Sequence, residues 1–132
     1  MIILHADSNH PLLLKKLEEV GHHNIVAYNQ SVAEILENGH LIDGLVIRSR
    51  FNIDREFMEA TPNLKFIARV GAGLESIDVE YAEEKGIFLF SAPEGNRNAV
   101  AEHALGMILS LFNKFNKADR EVRRGYWQRE AN

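Results

Sequence analysis

The chain contains no cysteine, so disulfide bridges and thiolate chemistry are excluded and a cytoplasmic setting is the expected default. It also has no apolar run long enough to cross a membrane, and its N-terminus, Met1-Ile2-Ile3-Leu4-His5-Ala6-Asp7, turns polar too soon for a signal peptide. There is no large charge of one sign: the formal net charge is −4, which supplies no general argument for nucleic acid or an anionic membrane as partner. Internal repeats and low-complexity stretches are missing as well. The six histidines (His5, His10, His22, His23, His40, His103) fall in no metal-ligand spacing with carboxylates, so no metal site is expected.

What is there fits an ordinary globule. At 132 residues, 45% hydrophobic and 26% charged, the chain can bury one real core but not two. Charge is uneven: between Asn113 and Asn132 Lys114, Lys117, Arg120, Arg123, Arg124 and Arg129 face Asp119, Glu121 and Glu130, a local +3. A solvated helix face accounts for such a run.

Short apolar runs alternate with amphipathic stretches, the pattern of a parallel α/β sheet. Strands are predicted at Ile2–Ala6, Asn24–Tyr28, Asp43–Ile47, Lys65–Val70 and Ile87–Phe90. Helices are predicted at Pro11–Val20, after a Ser31/Glu34 capping box, at Asp54–Ala60 before Thr61-Pro62, and at Val79–Lys85 before Gly86. A polar loop, Ser91 to Arg97, leads to a long helix opened by Asn98 and reaching about Arg124. Its first half is apolar nearly all round, so burial is expected there, with His103 as a core histidine; exposed instead, it would drive self-association. The fold class is therefore α/β, a flavodoxin-like parallel sheet with helices on both faces plus a long C-terminal crossover helix.

Sheets of this kind bind ligands beyond the carboxyl ends of their strands. After the third strand stand Arg48, Ser49 and Arg50, two planar cations flanking a hydroxyl, suited to carboxylate or phosphate but equally able to form surface ion pairs. After the fourth come Arg69, Val70 and Gly71, then Ala72-Gly73; small residues there can bare backbone N–H groups to an anion, or make a tight turn and nothing more. Gly71-Ala72-Gly73 is not a dinucleotide fingerprint, because Ser76 replaces the third glycine and no acid closes the next strand.

In order along the chain, several segments resemble the N-terminal domain of the D-isomer-specific 2-hydroxyacid dehydrogenases. They are Gly44–Arg50, Leu64–Gly73, Ile77-Asp78, Lys85-Gly86-Ile87, Ser91–Asn96, Ala99–His103 and Arg123–Trp127. The Arg48-Ser49-Arg50 triplet looks most like the phosphoglycerate dehydrogenase branch, which serves serine biosynthesis. The resemblance implies that Arg48, Ser49, Arg50 and Arg69 hold a small phosphorylated 2-hydroxy acid, 3-phosphoglycerate, while the N–H groups of Val70 and Gly71 receive its carboxylate. It implies that Asn96 and Val100 face the nicotinamide of NAD, and that the working protein is a homo-oligomer. Residues 1–98 would be the substrate-binding domain, 99–125 a long interdomain helix and 126–132 a tail. The Rossmann domain that mainly binds NAD, with the family's catalytic histidine, glutamate and carbonyl-polarising arginine, would lie beyond this chain, which then has no catalytic residue and no activity of its own. Two competitors share the scaffold. A phosphorelay receiver would need clustered acids after the first strand and an aspartate where Arg48 stands; a non-enzymatic ligand-sensing or partner-binding module would need no hydride transfer.

Overall fold

Five four-residue runs, rich in Ile, Leu, Val and Phe, pair side by side into one sheet: β1 (Ile2–His5), β2 (His23–Val26), β3 (Gly44–Ile47), β4 (Phe66–Arg69) and β5 (Phe88–Ser91). All neighbours are parallel, in the order β2-β1-β3-β4-β5. This is the flavodoxin-like order, and its direction reverses between β1 and β3. The computed structural model describes residues 1–128, in two compact units, Met1–Pro93 and the part from Glu94 onward. Strand and helix limits agree with those expected to within a residue or two at most ends.

In the first unit, one face of the sheet carries the core. Leu4, Ala6, Leu45, Ile47 and Ile67 pack with Ile35 of α2 (Val32–Leu36), Phe57 and Met58 of α3 (Arg55–Ala60) and Tyr81 and Ala82 of α4 (Val79–Glu84). These short helices are fixed by their caps. Ser31 and Glu34 form the expected capping box, Asp54 accepts from Phe57 N–H at 2.9 Å, and Asp78 accepts from Tyr81 N–H at 3.0 Å. β3 is buried along its whole length, as a central parallel strand must be.

The other face is partly covered. α1 (Pro11–Glu19) has no fully buried residue; Leu13, Leu14 and Leu17 are half-buried, while Leu12 is exposed. The Phe66 ring lies across Gly44, where any β-carbon would collide with it, so β3 needs glycine at that point. Phe66 meets Phe90 edge-on with centroids 6.2 Å apart, and Phe88 and Phe90 remain 70% and 56% exposed. The fully buried histidine is His5. Asn24 Nδ2 donates to Leu14 O and Glu18 Oε1, so its Oδ1 accepts, and His5 Nε2 therefore carries the proton at 2.9 Å.

The second unit departs from expectation at several points. The long helix is two helices, α5 (Arg97–Phe112) and α6 (Phe115–Arg123). They are separated at Asn113, whose side-chain amide returns to Leu109 O at 3.0 Å, and at Lys114, which adopts a left-handed conformation with φ 52°. Asparagine competes for backbone acceptors in this way and ends helices, a signal masked by the continuous apolar run before it. Asn96, not Asn98, occupies the N-cap position, and its side chain makes no capping bond. α5 contains no buried residue, and His103 is exposed, because a helix apolar on all sides needs covering on all sides and, among the described residues of its unit, α6 is the helix that accompanies it. Of the expected tail, residues 129–132 lie outside the described ones. Among the described residues no helix is long and apolar enough to cross a membrane.

One ion pair links strand ends in a titratable way. Asp43 accepts from Lys65 Nζ at 2.6 Å and from Ile2 N–H at 2.8 Å, and these two bonds, the lysine first, hold its carboxyl below the usual aspartate range. A carboxyl whose folded value is depressed stabilises the fold above its unfolded value, about 3.9, and loses that contribution as pH falls. Urea unfolding of the parent should therefore weaken more steeply below about pH 4 than that of Asp43→Asn, which cannot titrate. Parallel pH profiles would show that the pair contributes nothing.

Candidate anion site

Parallel strands end with carbonyls that have run out of ladder partners. At the carboxyl ends of β1 and β2, Arg50 supplies the donors. Its Nη1 gives hydrogen bonds to Ala6 O at 2.8 Å and Ala27 O at 2.7 Å, and its Nη2 to Gln30 O. Three of the five guanidinium N–H groups are spent on backbone, leaving Nε–H and one Nη2–H for anything else. The half-buried Arg50 thus ties three stretches of chain together.

Arg48 and Ser49 are exposed, directly after buried Ile47, and the described residues offer no acceptor to either side chain. Their backbone is gripped: Arg48 N–H donates to Asp7 Oδ2 at 2.6 Å, and Arg48 O accepts from Arg69 Nε at 3.0 Å. Asp7, which follows β1, is a residue sequence reasoning did not place in the site. The signal for its role was its place at the end of β1 beside the reversal in strand order.

The turn after β4 is built around glycines. A β-carbon at Gly71 would strike the Arg69 guanidinium, and one at Gly73 would strike the Glu75 carboxylate, so both side chains fold back over bare Cα atoms. The turn is pinned further along, where Ile53 N–H donates to Ser76 O at 2.7 Å and Asp78 N–H to Ile53 O at 2.9 Å. Val70 N–H continues the sheet to Ile47 O at 2.8 Å, and Gly71 N–H returns to Arg69 O at 2.9 Å. The two amides expected to meet a carboxylate are therefore engaged, the second only in a three-residue turn, a weaker arrangement. Between Gly71 and Ile77, the described amides without a backbone partner are those of Ala72, Gly73, Leu74, Glu75 and Ser76. Sequence reasoning named the amides of Val70 and Gly71; the fold leaves open those from Ala72 onward.

The same turn is not built like a dinucleotide site. A pyrophosphate needs the glycine turn to open straight onto a helix N-terminus. Here α4 starts only at Val79, after the Ile53–Ile77 bridge, and is six residues long. Asn96 and Val100 belong to the second unit, exposed and one helical turn apart, with Val100 N–H bonded to Asn96 O at 2.9 Å. Among the described residues no group of three or more His, Asp or Glu side chains could hold a metal.

The family model described as "D-isomer specific 2-hydroxyacid dehydrogenase, catalytic domain" matches residues 2–130. A D-3-phosphoglycerate dehydrogenase of Methanocaldococcus jannaschii is 38% identical over 128 residues, which is 97% of this chain and 24% of that protein. One from Archaeoglobus fulgidus is 36% identical over 105 residues, 80% of this chain and 20% of that protein. The chain thus spans about a fifth to a quarter of the length of these relatives. Among solved structures, the PH0520 protein of Pyrococcus horikoshii superposes with a TM-score of 0.88 at 28% identity, covering 98% of this chain and 39% of that one. A 3-phosphoglycerate dehydrogenase of Entamoeba histolytica, solved with NAD+ bound, gives a TM-score of 0.64 at 31% identity, covering 83% of this chain and 38% of that one.

The two arginines of the β3 loop should separate by their effect on stability. Arg50→Ala strands three carbonyls and should cost about 1.5–3 kcal/mol of unfolding free energy, the scale of hydrogen bonds to a charged group. Arg48→Ala, an exposed change, should stay within about 0.5 kcal/mol of the parent. Equal stabilities in urea unfolding would refute the tie.

Proposed function

The chain belongs to the D-isomer specific 2-hydroxyacid dehydrogenase family, and from that we propose that it is the substrate-holding part of an NAD-dependent oxidoreductase that converts D-3-phosphoglycerate to 3-phosphohydroxypyruvate in the cytoplasm. What carries the reading is the convergence of Arg48, Ser49, Arg50 and Arg69 with unpaired amides at one edge of the sheet. Relatives named for phosphoglycerate, at 36% and 38% identity, support the choice of substrate.

The phosphate is assigned to Arg48, the Ser49 hydroxyl and the N–H groups Arg50 has left. A phosphate dianion there meets charge-assisted donors and displaces only water. The carboxylate is assigned to Arg69 and the turn that follows. A carboxylate can replace the internal bond of Gly71 and take the amide of Ala72, while Val70 keeps its N–H in the sheet and sets the position of the turn. Bound NAD supplies the hydride acceptor; Asn96 and Val100 are assigned to the edge of its nicotinamide, and its phosphates to residues outside this chain. No residue here is assigned to hydride or proton transfer. The contribution of this chain is to hold the substrate in one orientation and to complement its charge.

Isothermal titration with 3-phosphoglycerate tests the assignment. The parent chain should bind, Arg48→Ala and Arg69→Ala should each bind about tenfold or more weakly, and NADH should give no measurable heat or fluorescence change with the chain alone (about 1.5–3 kcal/mol per lost charged hydrogen bond). Equal affinities in parent and variants would remove the assignment, and micromolar NADH binding would mean that the Gly71 turn has been misjudged.

The homo-oligomer is also proposed, with α5 as its adhesive surface: Val100, Leu105, Met107, Ile108, Leu109, Leu111 and Phe112 are all exposed on it. Light scattering at tens of micromolar (roughly where exposed apolar surface begins to associate) should show a species larger than the monomer. A stable monomer would contradict it.

A further inference from the structure

Arg69 can serve an anion only if its guanidinium is aimed, and its aim is set from two strands away. Asp7 Oδ2 holds Arg48 N–H at 2.6 Å; the carbonyl of the same residue, Arg48, takes Arg69 Nε–H at 3.0 Å; and the guanidinium lies over Gly71. The loop carrying Asp7 is itself braced, since Ala6 N–H donates to Val46 O at 2.9 Å and Asn9 Nδ2 to Asp7 O at 2.9 Å. With Nε–H committed, Arg69 has both terminal nitrogens available, and the described residues offer them no acceptor.

A carboxylate is an unexpected neighbour for an anion site, since its charge opposes the ligand. Its geometry explains its presence. Arg48 is the first residue after a fully buried strand, and its N–H has no ladder partner there, while Ile47 O of the same peptide accepts from Val70 N–H. The Asp7 bond holds the other side of that peptide, and with it the point at which exposed Arg48 leaves the strand; the Arg48 carbonyl, in the next peptide, meets Arg69 from there.

Resting on the functional reading above, we propose that Asp7 is a positioning residue for substrate binding: through the Arg48 backbone it orients the Arg69 guanidinium over Gly71 toward the substrate carboxylate. Asp7 touches no substrate. The proposal separates its two properties, the hydrogen bond that orients and the charge that repels. Asparagine keeps the acceptor and removes the charge; alanine removes both.

The test uses the whole chain and two readouts. In ¹H–¹⁵N spectra the Arg69 Nε–H of the parent should exchange with solvent several-fold more slowly than that of exposed Arg48. The protection should persist in Asp7→Asn and disappear in Asp7→Ala. In calorimetric titration with 3-phosphoglycerate, Asp7→Ala should bind about fivefold or more weakly than the parent (about 1 kcal/mol, one ordinary hydrogen bond), and Asp7→Asn as well or better. An unprotected Arg69 Nε–H in the parent overturns the wiring without any variant, so a failure of Asp7→Ala to fold does not rescue the idea. Equal affinity of parent and Asp7→Ala, or loss of affinity in Asp7→Asn equal to that in Asp7→Ala, overturns the positioning role while leaving the anion site standing. A parent chain that binds no 3-phosphoglycerate overturns the functional reading and the role together.

Discussion

A parallel sheet leaves unpaired carbonyls where its strands end, and in this chain guanidinium groups satisfy them. Arg50 meets Ala6 O, Ala27 O and Gln30 O, and Arg69 meets Arg48 O. Neutral donors could close the same bonds. Arginine closes them with a planar group that keeps further N–H groups and a permanent charge facing outward. The constraint that finishes the sheet therefore also concentrates positive charge at its carboxyl edge, and the proposed anion site follows from how the fold is capped.

The reversal in strand order gives that edge its shape. Because β1 is flanked in the sheet by β3 on one side and β2 on the other, the strand order reverses beside β1, the place where sheets of this kind bind ligands. Asp7 Oδ2 accepts from Arg48 N–H there at 2.6 Å, and Arg69 of the β4 turn donates to Arg48 O. Little of this depends on the helices, which are short and serve to bury Leu45, Ile47 and Ile67 from one side. The core holds the strands level and the strand ends hold the site.

Much of the first unit was legible in sequence, since four-residue apolar runs bounded by Asp, Gly and Pro leave few alternatives for strands and turns. The position of Arg48, Arg69 and Gly71 at the ends of strands was legible, as was the Ser31/Glu34 box through its spacing. What was not legible depends on contacts far apart in the chain. Nothing local to Arg50 says that Ala6, Ala27 and Gln30, up to 44 residues away, will claim its N–H groups. Nothing local to His5 or His103 says which of them is buried. The break at Asn113-Lys114 was overlooked because an apolar run was read through a residue that caps helices. Periodicity locates an element; the fate of a donor depends on the neighbours that tertiary structure brings.

The central claim is that a phosphorylated hydroxy acid sits on the carboxyl edge between the β3 and β4 loops. The most direct measurement is a ¹H–¹⁵N titration of the chain with 3-phosphoglycerate, followed at the amides of Gly71 to Leu74 and at the Nε–H groups of Arg48 and Arg69. The account predicts saturable shifts at these positions, with Gly39 and Gly86 at the opposite ends of the strands unmoved. Shifts spread evenly over the surface lysines and arginines, or concentrated on the basic residues of α6, would contradict it.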